Sequence, residues 1–264
     1  MNRIAASARY ARDIGEVLFL NRLTGSPLQR FTAGDAATIV RRTRFHAHAR
    51  IQNQDLRDIV GVLGTGGVAQ VTLPGPKDLS GVGNATYYHA LASIARAVNP
   101  SSVLEIGTYL GIGTLTLALN TSAECRITTV DLPDDAIIEE AHDLSSGDIE
   151  LIRRRRTRVG EAFESTDEAS RIRQIRTDSL TWQPDASLKP VDLVLIDGGH
   201  SYPLVKADTE NAFELLSPTG TILWDDYFYL YPGVVGYLES LVDEGRRLHV
   251  IRGTNLVIYD QRLQ

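Results

Sequence analysis

Residues Ser102–Leu119 read Ser-Val-Leu-Glu-Ile-Gly-Thr-Tyr-Leu-Gly-Ile-Gly-Thr-Leu-Thr-Leu-Ala-Leu, and the rest of the chain is organised around them. Val103, Leu104 and Ile106 are spaced as a short buried strand. Gly107, Gly111 and Gly113 then punctuate a turn, and Thr114–Leu119 continues as an apolar, helix-compatible run. A strand that breaks at glycines and re-enters as a helix lets a ligand approach bare backbone and a helix N-terminus. Glu105 stands at the end of the strand, where an acid can face a cationic group.

Further strands follow at regular intervals. Arg126–Val130 is short and β-branched and ends in Asp131. Ile172–Arg176 precedes Asp178-Ser179-Leu180, and Val191–Ile196, the clearest strand, runs into Asp197-Gly198-Gly199-His200-Ser201-Tyr202. Thr221–Trp224 ends in Asp225-Asp226-Tyr227, after a turn at Ser217-Pro218-Thr219-Gly220. Helices are expected at Ala85–Val98, Asp134–Leu144, Leu204–Leu216 and Val234–Glu244. His249–Ile251 and Asn255–Tyr259 flank Arg252-Gly253-Thr254 as an antiparallel pair. This alternation predicts an α/β fold, a doubly wound and mostly parallel sheet of Rossmann-like type with a C-terminal antiparallel pair.

Upstream, Ile4, Ala8, Ala11, Ile14, Val17 and Leu18 recur at helical spacing, which predicts an amphipathic helix over Asn2–Arg22. A second helix is expected from about Asp35 to Leu63, and Gly64–Gly83 reads as a linker or loop rich in Gly and Pro. The expected division is therefore a helical extension at 1–83, serving as a lid or a dimer contact, and a ligand-binding domain at 84–264. The helical extension is also where a homo-oligomer would form.

The 264 residues, 43% of them hydrophobic and 23% charged, fit a soluble globular chain. Arginines and acids interrupt the apolar positions of the first helix, which argues against a signal peptide or membrane span. The lone Cys125 excludes an internal disulfide and a cysteine metal site, and fits a reducing cytoplasm. A net charge of −6 argues against broad nucleic-acid binding. The Arg153-Arg154-Arg155-Arg156-Thr157-Arg158 run sits among Asp148, Glu150, Glu161 and Glu164 and reads as a solvated, self-paired face rather than an anion site.

In open α/β sheets, ligands bind beyond the carboxyl ends of the strands. That rule gathers Glu105, Asp131, Asp178, Asp197, Asp225 and Asp226 at one edge, where they repel unless something cationic joins them. Asp131, about twenty residues after the turn, is placed to accept both ribose hydroxyls of a nucleoside cofactor. The glycines run G-x-x-x-G-x-G, which disfavours an NAD fingerprint. Asp197, Asp225 and Asp226 offer hard oxygen ligands suited to Mg²⁺ or Mn²⁺. Adjacent Asp225 and Asp226 diverge on a regular strand, so both reach one ion only if the strand has already broken; helix capping is the alternative role.

The acid and glycines of the turn resemble motif I of class I S-adenosylmethionine (SAM) methyltransferases. Together, Asp131, the Ile196-Asp197-Gly198-Gly199-His200-Ser201-Tyr202 segment and Trp224-Asp225-Asp226-Tyr227 resemble metal-dependent O-methyltransferases of the macrocin and cephalosporin-pathway type. Catechol O-methyltransferases are more distant cousins. The resemblance spans roughly Thr86–Tyr259. It implies that Glu105, Gly107, Thr108, Tyr109, Gly111, Gly113, Thr114, Asp131, Leu132, Asp178, Ser179 and Asp197 contact SAM, with Asp178 accepting from the adenine amino group. It also implies that Asp197, Asp225 and Asp226 bind Mg²⁺. Catechol enzymes carry a lysine base three residues after the first metal acid; His200 occupies that offset here, which leaves the base open between His200 and Asp197.

The expected activity is methyl transfer from SAM to a hydroxyl of a small molecule in specialised metabolism. A metal-independent methyltransferase acting on nitrogen, carbon or RNA is the first alternative. A non-catalytic nucleoside-binding protein of the same fold is the second.

Overall fold

The computed structural model describes residues 45, 49–64, 70–75, 85–133, 146–155 and 158–264. The chain divides into two compact units, 1–50 and Ile51–Gln264. Of the first, only Phe45, Ala49 and Arg50 are described, and Ala49 N–H donates to Phe45 O at 2.7 Å. The expected helices at Asn2–Arg22 and Asp134–Leu144 lie outside the described residues, as does most of Asp35–His48.

The second unit is built on an eight-stranded sheet. In chain order its strands are β1 (Gln52–Gln54), β2 (Ser102–Ile106), β3 (Arg126–Asp131), β4 (Ile172–Arg176), β5 (Val191–Ile196), β6 (Leu216–Trp224), β7 (His249–Ile251) and β8 (Val257–Asp260). They lie in the order β1-β7-β8-β6-β5-β2-β3-β4. All neighbours are parallel except β6–β8 and β7–β8. From β2 the chain winds outward one way through β3 and β4, then returns to β5 and winds the other way. The carboxyl ends of β2 and β5 are therefore the point where strand order reverses and where such sheets bind ligands.

The helices are α1 (Leu56–Leu63), α2 (Ala85–Val98), α3 (Ile112–Leu119), α4 (Ser146–Arg155), α5 (Glu161–Glu164), α6 (Tyr202–Leu215) and α7 (Pro232–Asp243). Successive side chains of a strand point to opposite faces, and β5 is apolar on both. Leu193 and Leu195 join Ile59 and Leu63 of α1, Leu91 and Ile94 of α2, and Leu117 of α3 in one core. Across the sheet, Trp224 donates Nε1–H to Thr209 Oγ1 of α6 at 2.9 Å. Leu193 and Leu195 are fully buried, so truncating either to alanine should cost about 2–5 kcal/mol. α2 is alanine-rich and ends where Asn99 takes a positive φ of 47° ahead of Pro100.

Two sequence expectations need correction. The single helix expected to reach Leu63 is instead β1, an extended Asp55, then α1. Gln52-Asn53-Gln54 has no strand propensity of its own; it is extended because Gln52 to Gln54 pair in parallel with His249 to Ile251. The compact unit that carries the sheet spans Ile51–Gln264. The turn at Ser217–Gly220 lies within β6, as an irregularity between the pairs Val191–Leu216 and Leu193–Thr221. In the arginine run, Arg153 is an exposed residue of α4, and Arg158 Nε–H donates to Glu161 Oε2 at 2.7 Å, the self-pairing expected.

Candidate active site

A cavity of about 380 Å³ opens at the carboxyl ends of β2, β3 and β5, within the range of small-molecule sites. The glycine turn forms its floor. Gly107 has φ +102° and packs so closely on the Asp197 carbonyl that a Cβ would overlap it. Its role is thus to let β2 and β5 meet where their strands end, and not only to admit a ligand.

Glu105 is buried beneath the turn, where Thr114 and Thr129 both donate to its Oε2, Thr129 at 2.6 Å. Burial outweighs these bonds and raises its pKa to about 8. Asp131 ends β3 with both oxygens toward backbone amides. Tyr109 N–H donates to Oδ2 at 2.8 Å and Leu132 N–H to Oδ1 at 2.7 Å. Tyr109 adopts φ 47° to present that amide. Asp178 accepts from Leu180 N–H at 2.9 Å, so one oxygen closes a turn while the residue lines the cavity.

Of the residues expected to contact SAM, Glu105, Gly107, Thr108, Tyr109, Gly113, Asp131, Leu132, Asp178, Ser179 and Asp197 all border this one cavity. Gly111 and Thr114 do not. Gly111 faces the Phe163 ring, and Thr114 acts through its bond to Glu105.

At the other end of the cavity, Asp197, Asp225 and Asp226 each place one carboxylate oxygen within 4.8 Å of the others. β6 ends at Trp224, and Asp226 has φ 61°, so the strand has broken and the two adjacent acids converge. Burial first, and then neighbouring carboxylates, raise the Asp197 pKa to about 7 and the Asp225 pKa well above its ordinary value. Such a set is electrostatically frustrated as a bare trio and suits a hard divalent cation. Tyr87 of α2 donates its hydroxyl to Asp197 Oδ2 at 2.9 Å.

His200 sits between two acids. Nδ1 meets Asp148 Oδ1 of α4 and Nε2 meets Asp226 Oδ2 at 2.7 Å, while the ring stacks on Tyr231 with centroids 4.1 Å apart. Burial alone would lower its pKa, but the bonds to Asp148 and Asp226 win and raise it to about 10. Asp148, Tyr87, Tyr88 and Tyr231 also line the cavity, and sequence reasoning did not single them out. Asp148, read from the sequence as one of the acids on the solvated face of the arginine run, is instead buried against His200; the tyrosines carried no signal beyond their position in helices and loops.

Residues 104–227 match the family model described as "Methyltransferase domain". No curated protein matches the chain in sequence. Among solved structures, the chain is similar to an O-methyltransferase from Bacillus cereus in complex with SAH at 16% identity, covering 83% of this chain and 96% of that one, with a TM-score of 0.47. It is similar to the O-methyltransferase TomG from Streptomyces achromogenes, involved in tomaymycin synthesis and in complex with SAM, at 16% identity, 82% and 94% coverage and a TM-score of 0.47. The SAH-bound methyltransferase PaMTH1 from Podospora anserina aligns at 16% identity, 89% and 98% coverage and a TM-score of 0.48. The matched segment begins inside β2 and closes just after Asp226, so it encloses the glycine turn, Asp131 and the three converging acids. Residues 104–227, which match the methyltransferase domain, thus lie on a doubly wound sheet.

Proposed function

We propose that the chain methylates a hydroxyl of a small molecule, in specialised metabolism, with a divalent metal held by Asp197, Asp225 and Asp226. The observation that carries this reading is the approach of those carboxylates to within 4.8 Å at the edge of the cavity lined by the glycine turn. A bound Mg²⁺ would supply Lewis acidity, lowering the pKa of an acceptor hydroxyl and orienting it. SAM supplies an electrophilic methyl on a sulfonium centre.

The chain's own residues set the geometry. Asp131 holds the ribose hydroxyls, and Asp178 with Ser179 borders the adenine. Glu105 gives the cationic end of the cofactor a buried counter-charge, which a nearby positive charge would ionise. Tyr87 fixes the Asp197 carboxylate through its hydroxyl. Of the two residues expected to take the hydroxyl proton, His200 has both ring nitrogens facing carboxylates. That leaves Asp197, at the cavity edge, as the residue to take the hydroxyl proton. Tyr87, Tyr88 and Tyr231 line the cavity, and a drier site favours a transfer in which charge collapses.

The test is methylation of a screened hydroxyl acceptor in EDTA. Activity should disappear and return with Mg²⁺ or Mn²⁺, and Asp225→Asn should lose metal affinity and turnover together while retaining S-adenosylhomocysteine. Full activity in EDTA would leave the metal-independent alternative.

A further inference from the structure

His200 was selected in the sequence by its offset from Asp197, yet its surroundings suit a different task. Three segments far apart in sequence meet at its ring: α4 through Asp148, the loop after β5 through His200 itself, and the loop after β6 through Asp226. The contact is interior, since the side chains of His200 and Asp148 are 9% and 5% exposed. Tyr231 closes one face of the imidazole. The backbone beneath is pinned as well. Gly233, at the start of α7, lies against the main chain of His200, Ser201 and Tyr202, where a Cβ would overlap all three. The imidazole therefore has a fixed root and two fixed partners.

Asp226 is the partner that needs holding. Its φ of 61° is a conformation non-glycine residues rarely adopt, though aspartate tolerates it better than most. It follows the end of β6, where ladder pairing with β5 has ceased at Trp224. The direction of its carboxylate is thus not dictated by the sheet. The Nε2 contact supplies that direction, and Nδ1 ties the same ring to a helix that walls the cavity through Asp148 and Ile152.

We propose that His200 and Asp148 are positioning residues, forming an Asp148–His200–Asp226 bridge that fastens α4 to the 225–231 loop and aims the Asp226 carboxylate. The bridge stands on geometry alone. Its consequence for metal affinity rests on the metal reading above. Outer partners of ligating carboxylates commonly govern affinity by about 10–100-fold. A gain in α4 order would accompany ordering of the loop, because one ring serves both.

The test uses the full chain. Hydrogen–deuterium exchange on metal-free protein should show about tenfold faster exchange across 225–231 in Asp148→Ala, with the same loosening across 146–155 in His200→Ala. Asp148→Asn keeps an acceptor for the ring and should restore most of the protection. Thermal unfolding of each variant checks that the sheet remains folded. In a parallel Mn²⁺ titration, Asp148→Ala should raise the dissociation constant about 10–100-fold, although its side chain is not one of the three ligands. Exchange at 225–231 that is unchanged in both alanine variants overturns the bridge. A wild-type chain that takes up no Mn²⁺ overturns the metal reading instead, and the exchange result still decides the bridge.

Discussion

The Tyr87 hydroxyl donates to Asp197 Oδ2 at 2.9 Å, joining α2 to the end of β5 across the mouth of the cavity. Burial, and then the charges of Asp197 and Asp225, raise the Tyr87 pKa well above its ordinary value, so it remains a donor throughout the working pH range. Tyr87→Phe keeps the ring, which packs edge-on against Tyr88 with centroids 4.9 Å apart, and removes only the hydroxyl. Loss of a hydrogen bond to a charged group is worth about 1.5–3 kcal/mol. We expect Mn²⁺ affinity and kcat to fall by about tenfold or more and the melting temperature to drop by several degrees, measured by titration and unfolding.

Asp131→Ala should weaken S-adenosylhomocysteine binding by about 10–100-fold. The substitution removes the proposed ribose acceptor and also strands the Tyr109 and Leu132 amides that now point at it. Calorimetry checks this, and unchanged affinity would remove Asp131 from the cofactor site.

Gly107→Ala is predicted to unsettle the fold before it affects any ligand. Its φ of +102° is strained for an L side chain, and the new Cβ would overlap the Asp197 carbonyl. A penalty of about 2–4 kcal/mol is expected from backbone strain and steric overlap. Denaturant melts should show it with no cofactor present.

Buried acids give the ligand-free protein a pH dependence, Glu105 and Asp208 among them together with Asp197 and Asp225. Burial raises Glu105 from 4.5 to about 8 and Asp208 of α6 from 3.8 to about 7, the latter even with Ser179 beside it. The folded chain therefore holds protons that the unfolded chain has released above pH 5. Stability is fully present below the unfolded values and declines as pH rises through 7 and 8. Urea melts at pH 5 and pH 8 should differ accordingly. Glu105→Gln, which mimics the protonated acid while still accepting from Thr114 and Thr129, should flatten the slope.

What could be read from the sequence follows from how local each signal is. Val191–Ile196 is apolar on both faces and could only be a central strand, and Asp197, Asp225 and Asp226 are placed by strand ends that the alternation predicts. Gln52–Gln54 could not be read, because its conformation is imposed by a partner near the other end of the sequence. The role of His200 was hidden for the same reason: its offset from Asp197 is local, but Asp148 and Asp226 reach it through the fold. Gly107 was legible as a turn residue, whereas the carbonyl it yields to belongs to another strand.

The pairing of β1 with β7 bears on how the molecule is made. Gln52 leaves the ribosome well before its partner His249, which follows about two hundred positions later, so closing that loop must await nearly the whole sheet. During synthesis, β1 is an orphan segment with no neighbour of its own, and the nascent sheet carries an unfinished margin. A ribosome stalled before β7 would hold a chain that already contains the glycine turn and all three converging acids, yet lacks the strand that secures its first one. Chaperone demand should therefore peak while the chain still awaits β7.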